Sequence, residues 1–540
     1  MHIRQFSIAL LSAAVATGAF YAYKGRETPE SPFGSSPSSV SVSAADSARR
    51  ALVVEQGQLY TGTITGDGPL SKETDDYGRK VLEMLTPEQA TEKLRKNEQS
   101  WFVGRGKGVV RYDVVQIPSN DPIEDDHAEK IIEIPQTVAG AEGSTSSDWM
   151  FWGVFDGHSG WTTSAKLRQV LISFVARELN STYKSALADP SLKLPTAESI
   201  DQAIKKGFLR LDHEIVHESV EKVKKAQSKR VAAELLAPAL SGSCALLSFY
   251  DSNSKLLRIA CTGDSRAVLG RRTANGYWSA TPLSVDQTGG TPEEAARLRK
   301  EHPGEENVVK NGRVLGGLEP TRAFGDATYK WTRETQAELK KSFFGRTASS
   351  LLRTPPYVTA EPVVTTTKVD PQRGDFLVMA TDGLWEMLTN EEVVGLVGQW
   401  LESQADSKTR KTGDKQAGSW LGSWSNSQKK GLPIEKDSRH GDSSGQRAPI
   451  RQQQWGIDSQ ETGRFVVEDK NAATHLVRNA LGGRDRDQVC ALLTLPSPFS
   501  RRYRDDLTVE VIFFGEGDTS GTITLNVDAS ASSPNPQAKL

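Results

Sequence analysis

Cysteine is scarce in this chain of 540 residues: Cys244, Cys261 and Cys490 are the only three, and no two of them form a CxxC pair. That excludes a disulfide framework and a zinc–thiolate site, so a metal held here needs oxygen ligands. A charge excess is missing too. The 66 Lys and Arg against 68 Asp and Glu leave a formal charge of −2, which argues against a globally basic nucleic-acid binder and against an acidic solvating tail. No nucleic-acid partner is expected. Internal repeats are not evident. The chain is long enough to bury a core, and at roughly 150 residues per domain it permits one large domain with insertions or two to three ordinary ones.

Acidic residues are absent before Glu27. Arg4 precedes an apolar stretch from Phe6 to Tyr23, and Lys24 and Arg26 follow it. The stretch has nearly the length of a membrane span, but Ser7, Ser12, Thr17 and Gly18 weaken it. Three readings stay open: a secretory signal, a retained membrane anchor, and a mitochondrial presequence, which accounts for the missing acids. In each, residues 1–26 are an address or anchor outside the fold, and membrane association through them is an expectation. From Thr28 to about Arg50 the chain is rich in Ser, Pro and Ala, so residues 27–85 read as a flexible spacer and lead-in.

The folded body is expected to begin with a helix at Thr86. Pro87 suits the first helical position, Gln89 completes a capping box, and Ala90, Lys93 and Leu94 continue at helical spacing. Between Asp201 and Leu236, Ile204, Phe208, Leu211 and Ile215 share one face, which predicts one or two amphipathic helices. Strands are expected at Phe151–Phe155, Ser243–Tyr250, Leu256–Cys261, Ala267–Gly270, Phe376–Ala380 and Leu507–Phe514, each rich in branched or aromatic residues. Asp251-Ser252-Asn253-Ser254 reads as a hairpin turn, so at least one pair is antiparallel. Residues 403–464 turn abruptly to Ser, Gly, Gln, Lys and Asp. Such a segment buries too little apolar surface to offset its ordering entropy, and it reads as a disordered insertion, with Trp420 and Trp424 as a candidate docking motif. Residues 516–540 read as a polar tail.

One arrangement recurs: an apolar run ends and a Gly-flanked aspartate follows. It appears as Phe155-Asp156-Gly157-His158, as Thr262-Gly263-Asp264-Ser265 and as Thr381-Asp382-Gly383; its mirror image, Asp505-Asp506, precedes the run from Leu507. A single Asp-Gly is ordinarily a turn. In antiparallel sheets, however, the end of one strand lies beside the start of its neighbour, so these four sites can gather at one rim. Clustered carboxylates repel one another unless a cation neutralises them, and hard oxygen ligands without thiolate suit magnesium or manganese. Glu124-Asp125 adds a further acidic pair in a segment too polar for core. Beside such a site His158 is placed to donate a proton to a leaving oxygen.

Six segments in order, Phe155–Gly160, Ser241–Ser243, Thr262–Arg266, Arg322–Asp326, Ala380–Trp385 and Arg504–Thr508, resemble the motifs of the metal-dependent protein serine/threonine phosphatases of type 2C. The resemblance spans about Thr86 to Gly515 and is strongest to the mitochondrial pyruvate dehydrogenase phosphatase branch. Segments such as Asn120–Asp125, Tyr329-Lys330-Trp331 and Thr354–Pro362 carry that finer likeness. It favours the mitochondrial address, and it implies an α+β fold: a four-layer αββα sandwich of two antiparallel sheets flanked by helices, over residues 86–515. By the same resemblance Asp156 bridges two divalent cations, Mg2+ or Mn2+, and also serves catalysis. Asp382 and Asp505 hold the first ion. The Gly157 carbonyl and Glu124 serve the second, Asp125 orders metal-bound water, and Asp264 with Asp382 holds a weaker third ion. His158 is the general acid. Where many relatives place a phosphate-binding arginine this chain has Asn120, taken as the substrate-binding position, so phosphate binding leans on the metals and on another cation. The implied partner is a phosphoprotein, with the pyruvate dehydrogenase complex as a target. A catalytically silent scaffold of the same fold is the alternative, and the complete ligand set argues against it.

Overall fold

The computed structural model describes residues 49–55, 57–64, 79–135, 146–192, 194–412, 432–435, 449–455, 457 and 462–531. Two antiparallel sheets stack at its centre. One has five strands, in the order Val363–Lys368, Leu256–Thr262, Ala245–Asp251, Ser147–Phe155, Asp126–Ile134. The other has seven, in the order Trp278–Pro282, Arg266–Arg272, Phe376–Ala380, Leu507–Phe514, Val109–Ile117, Gln99–Gly104, Thr522–Leu525.

Each central strand is buried on both faces, which is why its sequence is continuously apolar rather than alternating. Along Ser147–Phe155, Trp149, Phe151 and Phe155 meet helices, while Met150, Trp152 and Val154 face the second sheet. Along Phe376–Ala380, Phe376, Val378 and Ala380 meet the opposite helical layer, and Leu377 and Met379 point between the sheets. Three apolar layers thus separate four structural ones, and the expected αββα sandwich is the observed architecture.

All six expected strands form: three are longer than their apolar runs, Phe376–Ala380 and Leu507–Phe514 match them, and Ser243–Tyr250 is interrupted at Cys244. The Asp251–Ser254 turn closes a hairpin in which Ala245 pairs with Thr262 and Asp251 with Leu256. Thr86 caps the helix Pro87–Arg95 with the reciprocal Gln89 bonds of a capping box. The 201–236 region is more divided than expected: a helix Ala197–His213, a π turn Glu214–Glu218, and helices Ser219–Ala226 and Lys229–Leu240. The break falls at Gln227, which takes a left-handed conformation.

Ordered structure extends beyond the expected body at both ends. Before Thr86, Arg49–Glu55 forms a sheet with Gln58–Ile64 and Lys80–Glu83. Leu52 and Leu59 from this sheet are buried in the helical-side core, and Arg50 makes a bidentate pair with Asp487 at 2.6 Å. These residues are part of the packed body rather than spacer. After Gly515, Thr522–Leu525 adds an edge strand beside Gln99–Gly104, and Ser530 Oγ accepts the Ser100 amide at 2.9 Å. The polar tail is therefore docked through Ser530. The insertion starts inside a helix, Asn390–Thr412, and touches the core where Leu432, Ile434 and Trp455 pack against it. Trp420, Trp424 and the apolar N-terminal stretch lie outside the described residues. Among the described residues no helix is long and apolar enough to cross a membrane.

One buried ionic clasp fixes the loop that leads into the site. Glu294, on the helix Pro292–Glu301, accepts from Arg322 at 2.8 Å, Arg297 at 2.7 Å and Thr321 at 2.6 Å. Burial opposes its charge, but these donors prevail and hold its carboxyl at about 2. A depressed pKa contributes stability that is complete above the unfolded value and is lost as pH falls toward the folded one. Glu294→Gln should therefore cost about 3 kcal/mol near neutrality, read as a lower urea midpoint. The gap from wild type should narrow below roughly pH 4.3, the value for an unperturbed glutamate; a gap constant down to the acid limit of the fold would refute the assignment.

Candidate active site

Antiparallel register brings the expected carboxylates to one rim. Asp126 pairs with Phe155, so Glu124 and Asp125, at the start of one strand, lie beside Asp156 at the end of the next. Ala380 pairs with Val509, and the Thr381 amide donates to the Thr508 carbonyl at 3.1 Å, so Asp382 leaves its strand where Asp505 and Asp506 enter theirs. The two sheets meet here: the Asp382 amide lies 3.4 Å from Asp156 Oδ2. Asp264 stands alongside, accepting the Cys244 thiol at 3.1 Å.

Glycine makes the approach possible at two points. A Cβ on Gly157 would fall 2.0 Å from the Glu124 carbonyl oxygen, and one on Gly383 would fall 2.1 Å from the Asp506 carbonyl oxygen. Both are closer than any side-chain carbon tolerates, so the strand end carrying Asp156 and the turn carrying Asp382 reach their neighbours only with hydrogen at these positions.

Burial and neighbouring acids oppose the charged forms of these carboxylates, a cost that a divalent cation would offset. Burial first, and then Asp382, Asp125 and Asp264, push the Asp156 carboxyl far above the usual range. Asp382 is raised likewise, by burial and then by Asp264 and Glu386. Asp125 is pushed up to about 8 by burial and Asp506, although Thr381 and Thr508 hydroxyls donate to its Oδ2 at 2.9 and 2.8 Å. Glu124 is raised by burial; its Oε1 accepts the Gly160 amide at 2.6 Å. Asp505 is paired with Arg501.

Asp506 and Asn120 brace this loop. Asp506 accepts from the Asn120 and Glu124 amides, both at 2.9 Å, and from Asn120 Nδ2 at 3.1 Å. Asn120 Nδ2 also donates to Glu124 Oε2 at 3.2 Å. Its carboxamide donors are thus engaged inside the loop, which differs from the substrate contact expected of it. The charged fork that an arginine would offer has been replaced by a short side chain that positions Glu124.

His158 Nε2 lies 2.6 Å from Asp326 Oδ2. Burial disfavours the imidazolium, yet Asp326 outweighs it and the pKa is raised. Asp326 was legible only as part of the Arg322–Asp326 motif, with no role attached, because 168 residues separate it from His158. It is fixed by a buried chain: Lys330 Nζ binds Asp212 at 2.7 Å and the Ala323 carbonyl at 2.8 Å, and Asp212 accepts the Gly325 amide at 3.0 Å. The three cysteines are buried, and burial raises each thiol, so none is an available nucleophile.

A model of the protein phosphatase 2C family matches residues 120–416. A protein phosphatase 2C homolog of Schizosaccharomyces pombe is 45% identical over 79% of this chain and 85% of its own length. The chain belongs to the protein phosphatase 2C family. The mitochondrial pyruvate dehydrogenase (acetyl-transferring) phosphatase 1 of Saccharomyces cerevisiae is 43% identical over 84% of this chain and 77% of its own, and its Homo sapiens counterpart 30% identical over 80% and 83%. The chain is accordingly a metal-dependent protein serine/threonine phosphatase.

The rim of this phosphatase fits divalent ions: its donors are hard oxygens, its glycines admit close approach, and its carboxylates resist ionising together. A more compact potential ligand group lies between the sheets, where His127, Glu129 and Glu510 bring ligand atoms within 4.8 Å of one another. That group is neutralised from within. His127 Nδ1 lies 2.5 Å from Glu129 Oε1. Burial lowers the imidazole, but Glu129 raises it further; burial and Glu129 raise Glu510, favouring its protonated form. At the rim Arg501 pairs with Asp505, yet Asp156 and Asp382 stay raised by burial and by neighbouring acids.

Gly157→Ala should separate Asp156 from Glu124 and weaken Mn2+ binding at least about tenfold, with the far-ultraviolet circular dichroism spectrum preserved. Wild-type Mn2+ affinity in this variant, by titration calorimetry, would remove Gly157 from the site.

Proposed function

We propose that this phosphatase hydrolyses phosphoserine and phosphothreonine in mitochondrial phosphoproteins, with the pyruvate dehydrogenase complex as target, by direct attack of water. The observation that carries the chemistry is the meeting of Asp156, Asp382 and Asp505 at the junction of the two sheets. With Glu124 and the Gly157 carbonyl they would hold two Mg2+ or Mn2+ ions, and Asp264 with Asp382 a weaker third. Such ions supply charge neutralisation and an acidified water as nucleophile.

The chain's own groups do the rest. Asp125, buried and held by two threonine hydroxyls, would order water beside the ions. His158, whose protonated form Asp326 favours, delivers a proton to the departing serine or threonine oxygen, a contribution of about 10²–10⁴-fold. With no accessible thiol, a phosphocysteine intermediate has no support. The target and the compartment rest on the pyruvate dehydrogenase phosphatases among the relatives, and on the acid-free, basic and apolar N-terminus, which fits a presequence or membrane anchor.

Asp382→Asn should abolish turnover while leaving the metal-free protein at least as heat-stable as wild type, because it removes a charge that burial and neighbours oppose. It should also cancel the rise in Tm that Mn2+ gives the wild type. Hydrolysis at the wild-type rate by this folded variant would overturn the site. For the target, a mitochondrial extract lacking this protein should lose most Mg2+-dependent release of phosphate from phosphorylated pyruvate dehydrogenase, and the purified chain should restore it. An extract that keeps full activity would reassign the substrate.

A further inference from the structure

A phosphomonoester is dianionic near neutrality, and the rim it must enter is crowded with carboxylates. Two divalent ions leave those carboxylates in excess, so a phosphate arriving beside them needs a cation of the protein's own. Asn120 cannot supply it, since its amide is engaged by Asp506 and Glu124.

Three arginines stand near the rim, at 501, 502 and 504, and they face different ways. Arg504 is buried and donates to the carbonyls of Leu492 at 3.2 Å and Pro118 at 2.8 Å. Arg502 lies over the Phe499 ring. Arg501, on the short turn Ser500–Arg502, pairs with Asp505 and is 44% exposed, so its guanidinium sits at the mouth of the site. It is also the cation that favours the charged forms of Glu124, Asp125, Asp156 and Asp382 together. Its mount is rigid: Ser500 Oγ donates to the Ser119 carbonyl at 2.6 Å, and Ser119 Oγ to the Arg504 carbonyl at 2.8 Å.

We propose that Arg501 is the phosphate-binding cation of this enzyme: its guanidinium holds Asp505 in the metal-free site and turns to the substrate phosphate once a divalent ion takes Asp505. The inference rests on the reading of Asp505 as a metal ligand. One carboxylate oxygen cannot serve a divalent ion and a guanidinium at the same point, and the displaced fork has a dianion as its nearest new partner. Planar, bidentate geometry suits guanidinium to phosphate better than an ammonium.

The test uses the full chain, inorganic phosphate as probe, and calorimetry rather than turnover. At saturating Mn2+, Arg501→Met should weaken phosphate binding about ten- to a hundredfold, the range for a charged hydrogen bond. Arg501→Lys should fall between, and Arg502→Met should stay within about twofold of wild type. Without phosphate, Arg501→Met should bind Mn2+ as tightly as wild type or more tightly, because a competitor for Asp505 is gone. Phosphate affinity unchanged in Arg501→Met would overturn the proposal; so would weakened Mn2+ binding, which would make Arg501 a support for Asp505. Failure of the metal-site reading looks different: wild type and Asp382→Asn would then bind Mn2+ alike.

Discussion

Repulsion among the carboxylates at the junction of the two sheets is the constraint on which the rest of this structure depends. Asp156, Asp382, Asp505, Glu124 and Asp125 come from three different strand ends and a loop, so no local device could bring them together. Only long-range antiparallel register does it, and the raised carboxyls of Asp156, Asp382 and Asp125 show the cost, first of burying them and then of placing them near one another. The continuous apolar strands behind them, buried on both faces, supply the stability against which that strain is held. Divalent ions held by these residues would offset that cost, and their binding would then add to the stability of the fold.

The surroundings separate charge by function. Where a polar group only supports the architecture, its partner is within reach: Glu294 with Arg322 and Arg297, Asp212 with Lys330, Arg478 with Asp469. In the His127–Glu129–Glu510 group between the sheets, the more compact cluster, His127 pairs with Glu129 while burial favours the protonated form of Glu510. At the rim the pairing is partial: Arg501 holds Asp505, while Asp156 and Asp382 stay raised by burial and by neighbouring acids. Compactness of carboxylates is therefore a poor guide to a metal centre.

Much of this was legible in the sequence because strand ends advertise themselves. Apolar runs closing on Asp-Gly gave Asp156 and Asp382, and Asp505-Asp506 before Leu507 gave the reverse case. The Thr86–Gln89 capping box was legible because both of its partners are local. Strand Asp126–Ile134 was not: its sequence, DHAEKIIEI, mixes charge with apolar residues at the edge of a sheet, where one face needs no apolar cover. The sheet before Thr86 and the docked segment after Gly515 were hidden for a related reason, since each is polar outward and is held by a few distant contacts such as Arg50–Asp487 and Ser530–Ser100. Asp326 shows the limit most clearly. Its residue type and motif were in view, but its role exists only through a contact across 168 positions.

The same reasoning explains why a protein phosphatase can dispense with an arginine at position 120. A guanidinium there would compete with Glu124 for the loop that Asp506 now organises through the Asn120 and Glu124 amides. Asparagine keeps the loop bonded without adding charge, and it leaves the positive charge to be supplied from the neighbouring turn, where Arg501 follows Ser500 and is fastened to that same loop through Ser119. A cation four residues before Asp505 is tied to a proposed metal ligand. If Asp505 holds an ion, substrate affinity and metal occupancy would be coupled through that single side chain.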